Sequence, residues 1–391
     1  MLLRHATLAD GRRVDVRICL DTIDEVAERL DPTPDEAVHD LAGMLLVPAL
    51  VEPHAHLDKA FLAERIDNPT GDLIGAIRAM EANRHLITVA DTVERAERAV
   101  RLMASRGVTA IRTHADATRD NGLTSVEALA EVRRRTADVC SLQIVALTGW
   151  PICGTAGADA RALLRAALDV GADGVGGCPH LDDDPAGANE VFLGIAAEAG
   201  CFVDLHTDET LVASMLSVED LARRVLSSGF SGRVAASHCC SLGVQDAATQ
   251  QRVAELIAEA GIDVITLPQT NLFLQARGVR TAQPRGLTAI AALREAGVNV
   301  AAGADNLQDP FNTVGRGDPL ETAALLVMAG HLGAEDAYEA ISNAARRAMG
   351  LSPITLTPGD PAELLAVRAT SVREAVASAP GDRLVFARGR L

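Results

Sequence analysis

The sequence predicts an α/β chain: a (β/α)8 TIM barrel with a small β-sandwich domain formed from the N- and C-terminal segments. Three observations carry this. From about residue 45 onward, eight short apolar runs alternate with amphipathic helical stretches. Glycines stand just ahead of several of those runs, where a helix would end. Residues 1–44 and 354–391 lack the rhythm and are polar and turn-rich.

The strand runs fall at 45–51, 108–113, 142–147, 174–177, 202–205, 234–237, 264–267 and 298–302. Between the first two, Asp91-Thr92-Val93-Glu94 has the side chains of an N-terminal capping box, and Gly107 ends that helix. Gly200, Gly261 and Gly297 occupy similar positions before later strands. The barrel is expected over 45–353. The chain ends, 1–44 and 354–391, are expected to pair beside it, with turns at Pro358-Gly359-Asp360 and Gly389.

A chain of 391 residues can bury one large core and carry an appendage. No apolar run reaches the length of a membrane span, and the start of the chain shows no secretory pattern. The formal net charge of -17 argues against nucleic acid or an anionic membrane as partner. The seven cysteines are odd in number and lack zinc-knuckle spacing, which reads as reduced thiols in a cytoplasm.

A barrel gathers the C-terminal ends of its strands around one mouth, so the polar residues there define the chemistry. Strand one ends in His54-Ala55-His56, two imidazoles on one face at i and i+2. Strand five ends in Asp204-Leu205-His206-Thr207-Asp208-Glu209, strand six in Ser237-His238, and strand eight in Asp305-Asn306. Taken singly, a histidine in an apolar strand reads as core, Asp305-Asn306 as a turn or cap, and Glu209 as a solvated helix start. Taken together, His54, His56, His206, His238 and Asp305 form a donor set suited to zinc or ferrous iron.

Barrel hydrolases with two metals commonly bridge them with a carboxylated lysine after strand four. Here that segment is Gly176-Gly177-Cys178-Pro179-His180, and the one lysine, Lys59, follows strand one. A single divalent metal ion is therefore expected. Lys59 reads as the ion-pair partner of a nearby Asp, with a substrate contact as the alternative.

At these residues the chain resembles the amidohydrolase superfamily, within it the cytosine deaminase-like branch. The stretches that carry the likeness are 51–58 (VEPHAHLD), 142–147 (LQIVAL), 171–180 (GADGVGGCPH), 203–209 (VDLHTDE), 234–238 (VAASH), 271–277 (NLFLQAR) and 302–310 (AGADNLQDP). The resemblance implies that His54, His56, His206 and Asp305 ligate one metal, with His238 close by and Glu209 as proton shuttle. It also leaves a homo-oligomer open. The branch's namesake has a Gln after strand three, where this chain has Thr148-Gly149-Trp150. It has a second Asp where this chain has Asn306, whose amide can donate as well as accept. Cytosine is therefore not the expected substrate. Trp150, Gln275, Arg277, Asn306, His180 and Lys59 are candidate substrate contacts, with Arg316 and His114 as further outer residues.

The leading expectation is a metal-dependent aminohydrolase. A metal-bound hydroxide attacks an amine-bearing carbon of a small heterocyclic substrate, a pyrimidine, triazine or related ring. Glu209 protonates the neighbouring ring nitrogen, His238 donates to the oxygen, and Asp305 takes the water's proton. The alternatives are a cyclic amide hydrolase that opens the ring, and a non-catalytic metal-stabilised binding protein. Glu209 and Asp305 together argue against the last, since mere binding needs neither. The small zinc deaminase fold is excluded, because its His-x-Glu and Pro-Cys-x-x-Cys signature is absent.

Overall fold

The computed structural model describes residues 1–388 and 390–391; the expected turn at Gly389 lies outside the described residues. Eight parallel strands follow one another in chain order around a barrel: Leu50–Ala55, Val108–Ala117, Ser141–Thr148, Gly174–Gly176, Phe202–Thr207, Val234–His238, Asp263–Thr266 and Val300–Ala302. They are called barrel strands one to eight below. Parallel pairing runs through all seven neighbouring pairs, and a bridge between Ala55 and Asp305 links the first strand to the end of the last.

Helices pack outside, and their starts follow local chemistry. The helix Val89–Ser105 is capped by Thr88, whose side chain accepts from the Asp91 N–H. The cap therefore lies three residues before the expected Asp91, which sits in the first turn and favours the helix N-terminus. Gly107 has φ +105°, and a Cβ there would press on Leu365 at 3.1 Å, so the chain turns into strand two only with glycine.

The chain ends form a separate sheet. Its order is Arg383–Phe386, Leu364–Val367, Leu45–Pro48, Leu2–Thr7, Arg13–Cys19 and Thr22–Ala27, with Val38–Asp40 branching from Leu2–Thr7. Leu3, Val16, Ile23, Leu46, Leu364 and Phe386 fill its core. The apolar run at 45–51 is thus two strands, not one. Leu45–Pro48 pairs antiparallel with Leu364–Val367, and the barrel strand starts at Leu50. Pro48 has no N–H to extend a ladder, and its carbonyl accepts from Tyr338 Oη at 2.7 Å. The C-terminal segment also holds an unexpected helix, Val372–Ser378, capped by Ser371. The expected turn at Pro358-Gly359-Asp360 is present, with Gly359 at φ +95° and Asp360 Oδ2 accepting from the Thr355 and Thr357 N–H groups.

Among the described residues, no helix is long and apolar enough to cross a membrane. The seven cysteines are all free thiols.

Candidate active site

The strand ends converge as the sequence suggests. His54 Nε2 lies 3.2 Å and His56 Nε2 lies 3.0 Å from His206 Nε2. Asp305 Oδ1 stands 3.3 Å from His56 Nε2 and 3.7 Å from His54 Nε2. Four ligands about 2.1 Å from one tetrahedral cation would be about 3.4 Å apart, so the spacing fits a shared ion. Asp305 Oδ1 is buried and has no hydrogen-bond partner among the described residues. The set His54, His56, His206 and the set His54, His238, Asp305 each form a group able to hold a metal ion.

Local backbone geometry aims these side chains. His238 and Asp305 adopt φ of +69° and +68°, a left-handed conformation that costs about 1–3 kcal/mol in a non-glycine residue. His238 ends strand six and Asp305 follows strand eight, and both line the cavity. Glu52 pins the seam between strands one and eight. Its carboxylate accepts from the His54 N–H at 3.2 Å and the Ala304 N–H at 2.9 Å. Only glycine fits opposite, since a Cβ on Gly303 would lie 2.3 Å from Glu52 Oε1. Asp208, at φ +51°, accepts from the Ser217 and Val218 N–H groups at the start of the helix Ser217–Ser228, which fixes the chain carrying Glu209.

Burial dominates the electrostatics. It drives His54, His56 and His206 well below the usual imidazole range, with neighbouring imidazoles and Lys59 adding to the effect. Burial likewise lowers His238 to about 3 and raises Glu209 to about 8. The protein thus presents neutral imidazoles, whose lone pairs suit a cation, beside the Glu209 carboxyl, whose acid form burial favours. His238 Nδ1 accepts from Asn271 Nδ2 at 3.0 Å, so its Nε2 carries the hydrogen and faces Asp305 Oδ2 at 3.9 Å. Glu209 Oε1 lies 3.7 Å from His238 Nδ1 and has no hydrogen-bond partner among the described residues.

Above this floor lies a cavity of about 300 Å3 lined by His56, His206, Glu209, His238 and Asp305. Its walls are largely apolar, with Leu73, Ile77, Met80, Leu147, Leu181 and Phe311 among them. Of the candidate substrate contacts, Lys59, Trp150 and Asn306 line it. Lys59 is also the expected ion-pair partner, with Nζ 2.7 Å from Asp116 Oδ1 and 3.5 Å from Asp58 Oδ1. Burial lowers its pKa, but Asp116 and Asp58 outweigh that and hold it at about 12. Trp150 is 42% exposed at the rim. Asn306 is braced by the protein, donating to Asp309 Oδ2 at 2.8 Å and accepting from Thr270 Oγ1 at 3.1 Å. That leaves one amide hydrogen and one oxygen lone pair unused.

Three candidates lie elsewhere. His180 sits behind strand five, with its Nδ1 donating to the His206 carbonyl at 3.1 Å. Gln275 donates to the Glu209 carbonyl at 3.2 Å, and Arg277 lies exposed over the Phe273 ring. The helix Pro268–Leu274 ends just before both, and neither lines the cavity. Arg316 is exposed and pairs with Glu321 at 3.2 Å. His114 is fully buried beneath the floor, its ring centroid 4.0 Å from that of His54.

Sequence reasoning passed over Arg84, Asp116 and Asn271. Arg84 reaches Asp116 Oδ2 at 3.3 Å and lines the cavity beside it. Asp116 comes into view only because strand two runs on to Ala117, so that alternation puts 112, 114 and 116 on the inward face.

Comparison with known proteins agrees with this geometry. The model of the amidohydrolase family matches residues 62–384. The chain is 32% identical over 359 residues to a pterin deaminase of Rhizobium rhizogenes, covering 90% of this chain and 81% of that one. It matches the crystal structure of 5-methylcytosine deaminase from Klebsiella pneumoniae with a TM-score of 0.89 and 29% identity, over 100% of this chain and 96% of the other. For N-isopropylammelide isopropylaminohydrolase from Burkholderia multivorans the TM-score is 0.86 and the identity 30%, over 100% and 97%. The eight-stranded barrel, its histidine and aspartate floor and these likenesses lead to one assignment: the chain belongs to the amidohydrolase family, metal-dependent hydrolases acting on C–N bonds.

Proposed function

We propose that this chain is a deaminase. It hydrolyses the exocyclic amino group of a nitrogen heterocycle, with pterins as the leading class, to leave an oxo ring and ammonia. The carrying observation is the buried floor, where Glu209 and His238 stand beside the His54, His56, His206 and Asp305 set. The pterin deaminase relative supports the substrate class. So does the cavity, which at about 300 Å3 is at the small end of ligand pockets and suits a flat one- or two-ring substrate. Thr148 ends strand three where a pyrimidine-reading Gln was expected of a cytosine enzyme, so cytosine is not the first choice.

His54, His56, His206 and Asp305 would hold one divalent cation, zinc or iron. A third set, His54, His114 and Asp204, is also close enough for an ion. Arg112 already neutralises Asp204 at 2.9 Å, which favours a single site. When bound, the cation activates water at neutral pH. The protein's own groups do the rest. Asp305 takes a proton from the attacking water. Glu209 protonates the ring nitrogen beside the attacked carbon, which raises that carbon's electrophilicity. His238 donates from Nε2 to the oxygen as the carbon becomes tetrahedral. Asp305 passes the proton it took to the leaving nitrogen, the remaining hydroxyl proton returns to Glu209 as the carbonyl forms, and ammonia departs.

The test is a screen of pterins, aminated pyrimidines, triazines and cyclic ureas, with the protein loaded separately with zinc and iron. Ammonia release with the ring intact is expected, with a pterin among the best substrates. Ring opening without ammonia, or no turnover of any aminated ring, would contradict the proposal.

A further inference from the structure

The three imidazoles on the floor differ in what holds the far side of each ring. His206 Nδ1 is buried and has no hydrogen-bond partner among the described residues. His56 Nδ1 faces Lys59 Nζ at 3.1 Å. His54 Nδ1 instead meets Ser237 Oγ at 2.8 Å, and that contact is the top of a chain through the barrel interior. Ser237 Oγ donates to Asp204 Oδ1 at 2.9 Å, and Arg112 Nη1 donates to Asp204 Oδ2 at 2.9 Å. Arg112 is itself fixed, donating from Nη2 to the Ala348 carbonyl and from Nε to Gln143 Oε1.

The chain has a direction. The guanidinium can only donate, so it keeps Asp204 as an acceptor. The single hydrogen of Ser237 is then committed to Asp204, leaving only lone pairs toward His54. His54 Nδ1 must therefore be the donor. His54, Ser237, Asp204 and Arg112 are each at most 1% exposed, so bulk water cannot substitute for any member.

We infer that Ser237 is a positioning residue for His54, locking the proton on Nδ1 and turning a bare Nε2 lone pair to the cavity floor. The inference rests on the proposed ligand role of His54. Its physical basis is general: a metal-binding imidazole needs its other nitrogen held, and loss of such a partner typically weakens metal binding about ten- to hundred-fold.

The test begins with metal-free protein labelled with 15N-histidine. Long-range nitrogen–proton spectra should show His54 protonated at Nδ1 and bare at Nε2. In Ser237→Ala that pattern should be lost while the circular dichroism spectrum is retained. Affinity for zinc, measured by chelator competition, should fall about ten- to hundred-fold. His54→Ala separates the two ideas. Unchanged zinc affinity in His54→Ala removes the ligand reading itself. Weakened zinc binding in His54→Ala but wild-type affinity in Ser237→Ala overturns the positioning role alone. A wild-type His54 carrying its proton on Nε2 also overturns it, and this measurement decides even if Ser237→Ala fails to fold.

Discussion

The terminal sheet and the cavity floor both bury carboxylates, but they treat them differently. In the sheet, Asp15 accepts from the His5 and Leu30 N–H groups at 2.8 and 2.9 Å, with Arg4 3.6 Å away. On the floor, Glu209 Oε1, Asp305 Oδ1 and His238 Nε2 have no hydrogen-bond partner among the described residues. A buried polar atom without a partner costs about 1–3 kcal/mol. A fold keeps several together only where something other than folding uses them. Asp15 is held for architecture, whereas Glu209, Asp305 and His238 line a cavity where chemistry would use them.

Substitutions on the two sides should separate activity from stability. The largest effect is expected from Glu209→Gln, which keeps the shape of the side chain and removes its acid. Turnover should fall about 10^2- to 10^4-fold with fold and metal content retained; steady-state kinetics beside metal analysis checks this, and full activity would remove Glu209 from the mechanism. His238→Asn removes the donor to the developing oxygen charge and should lower kcat about 10^2- to 10^3-fold, with a smaller change in KM. Asp15→Ala reverses the pattern. Two backbone donors lose their acceptor, so denaturant unfolding should show about 2 kcal/mol less stability, while kcat per folded molecule stays at the wild-type value. Equal losses of activity in Asp15→Ala and Glu209→Gln would erase the distinction.

The mildest test is pH. Burial raises Glu209 to about 8, and the mechanism uses its protonated form. On the alkaline side, activity should fall about tenfold per pH unit above that value as the acid form is lost. A rate that stays flat well above pH 8 would show that the acid form is not needed.

The barrel was legible because each strand is a short apolar run closed by a helix signal, and the ligand-type residues because they sit where those runs stop. The boundary at Ala49 was not legible. The run at 45–51 is uniformly apolar, and only the partner strand Leu364–Val367, more than 300 residues on, separates Leu45–Pro48 from the barrel. Outer residues are harder to place for a related reason. Gln275 and Arg277 follow strand seven in sequence, but the helix Pro268–Leu274 lies between, and neither lines the cavity, which sequence position alone does not encode. Asp116 lay hidden because strand two runs four residues past its apolar stretch.

Metal analysis of purified wild-type protein and His206→Ala tests the central claim most directly. One equivalent of divalent metal per wild-type chain is expected, with occupancy sharply reduced in a variant that remains folded. Undiminished metal in His206→Ala would contradict the account, because His206 Nε2 lies within 3.2 Å of both other imidazoles and any ion they share must meet it.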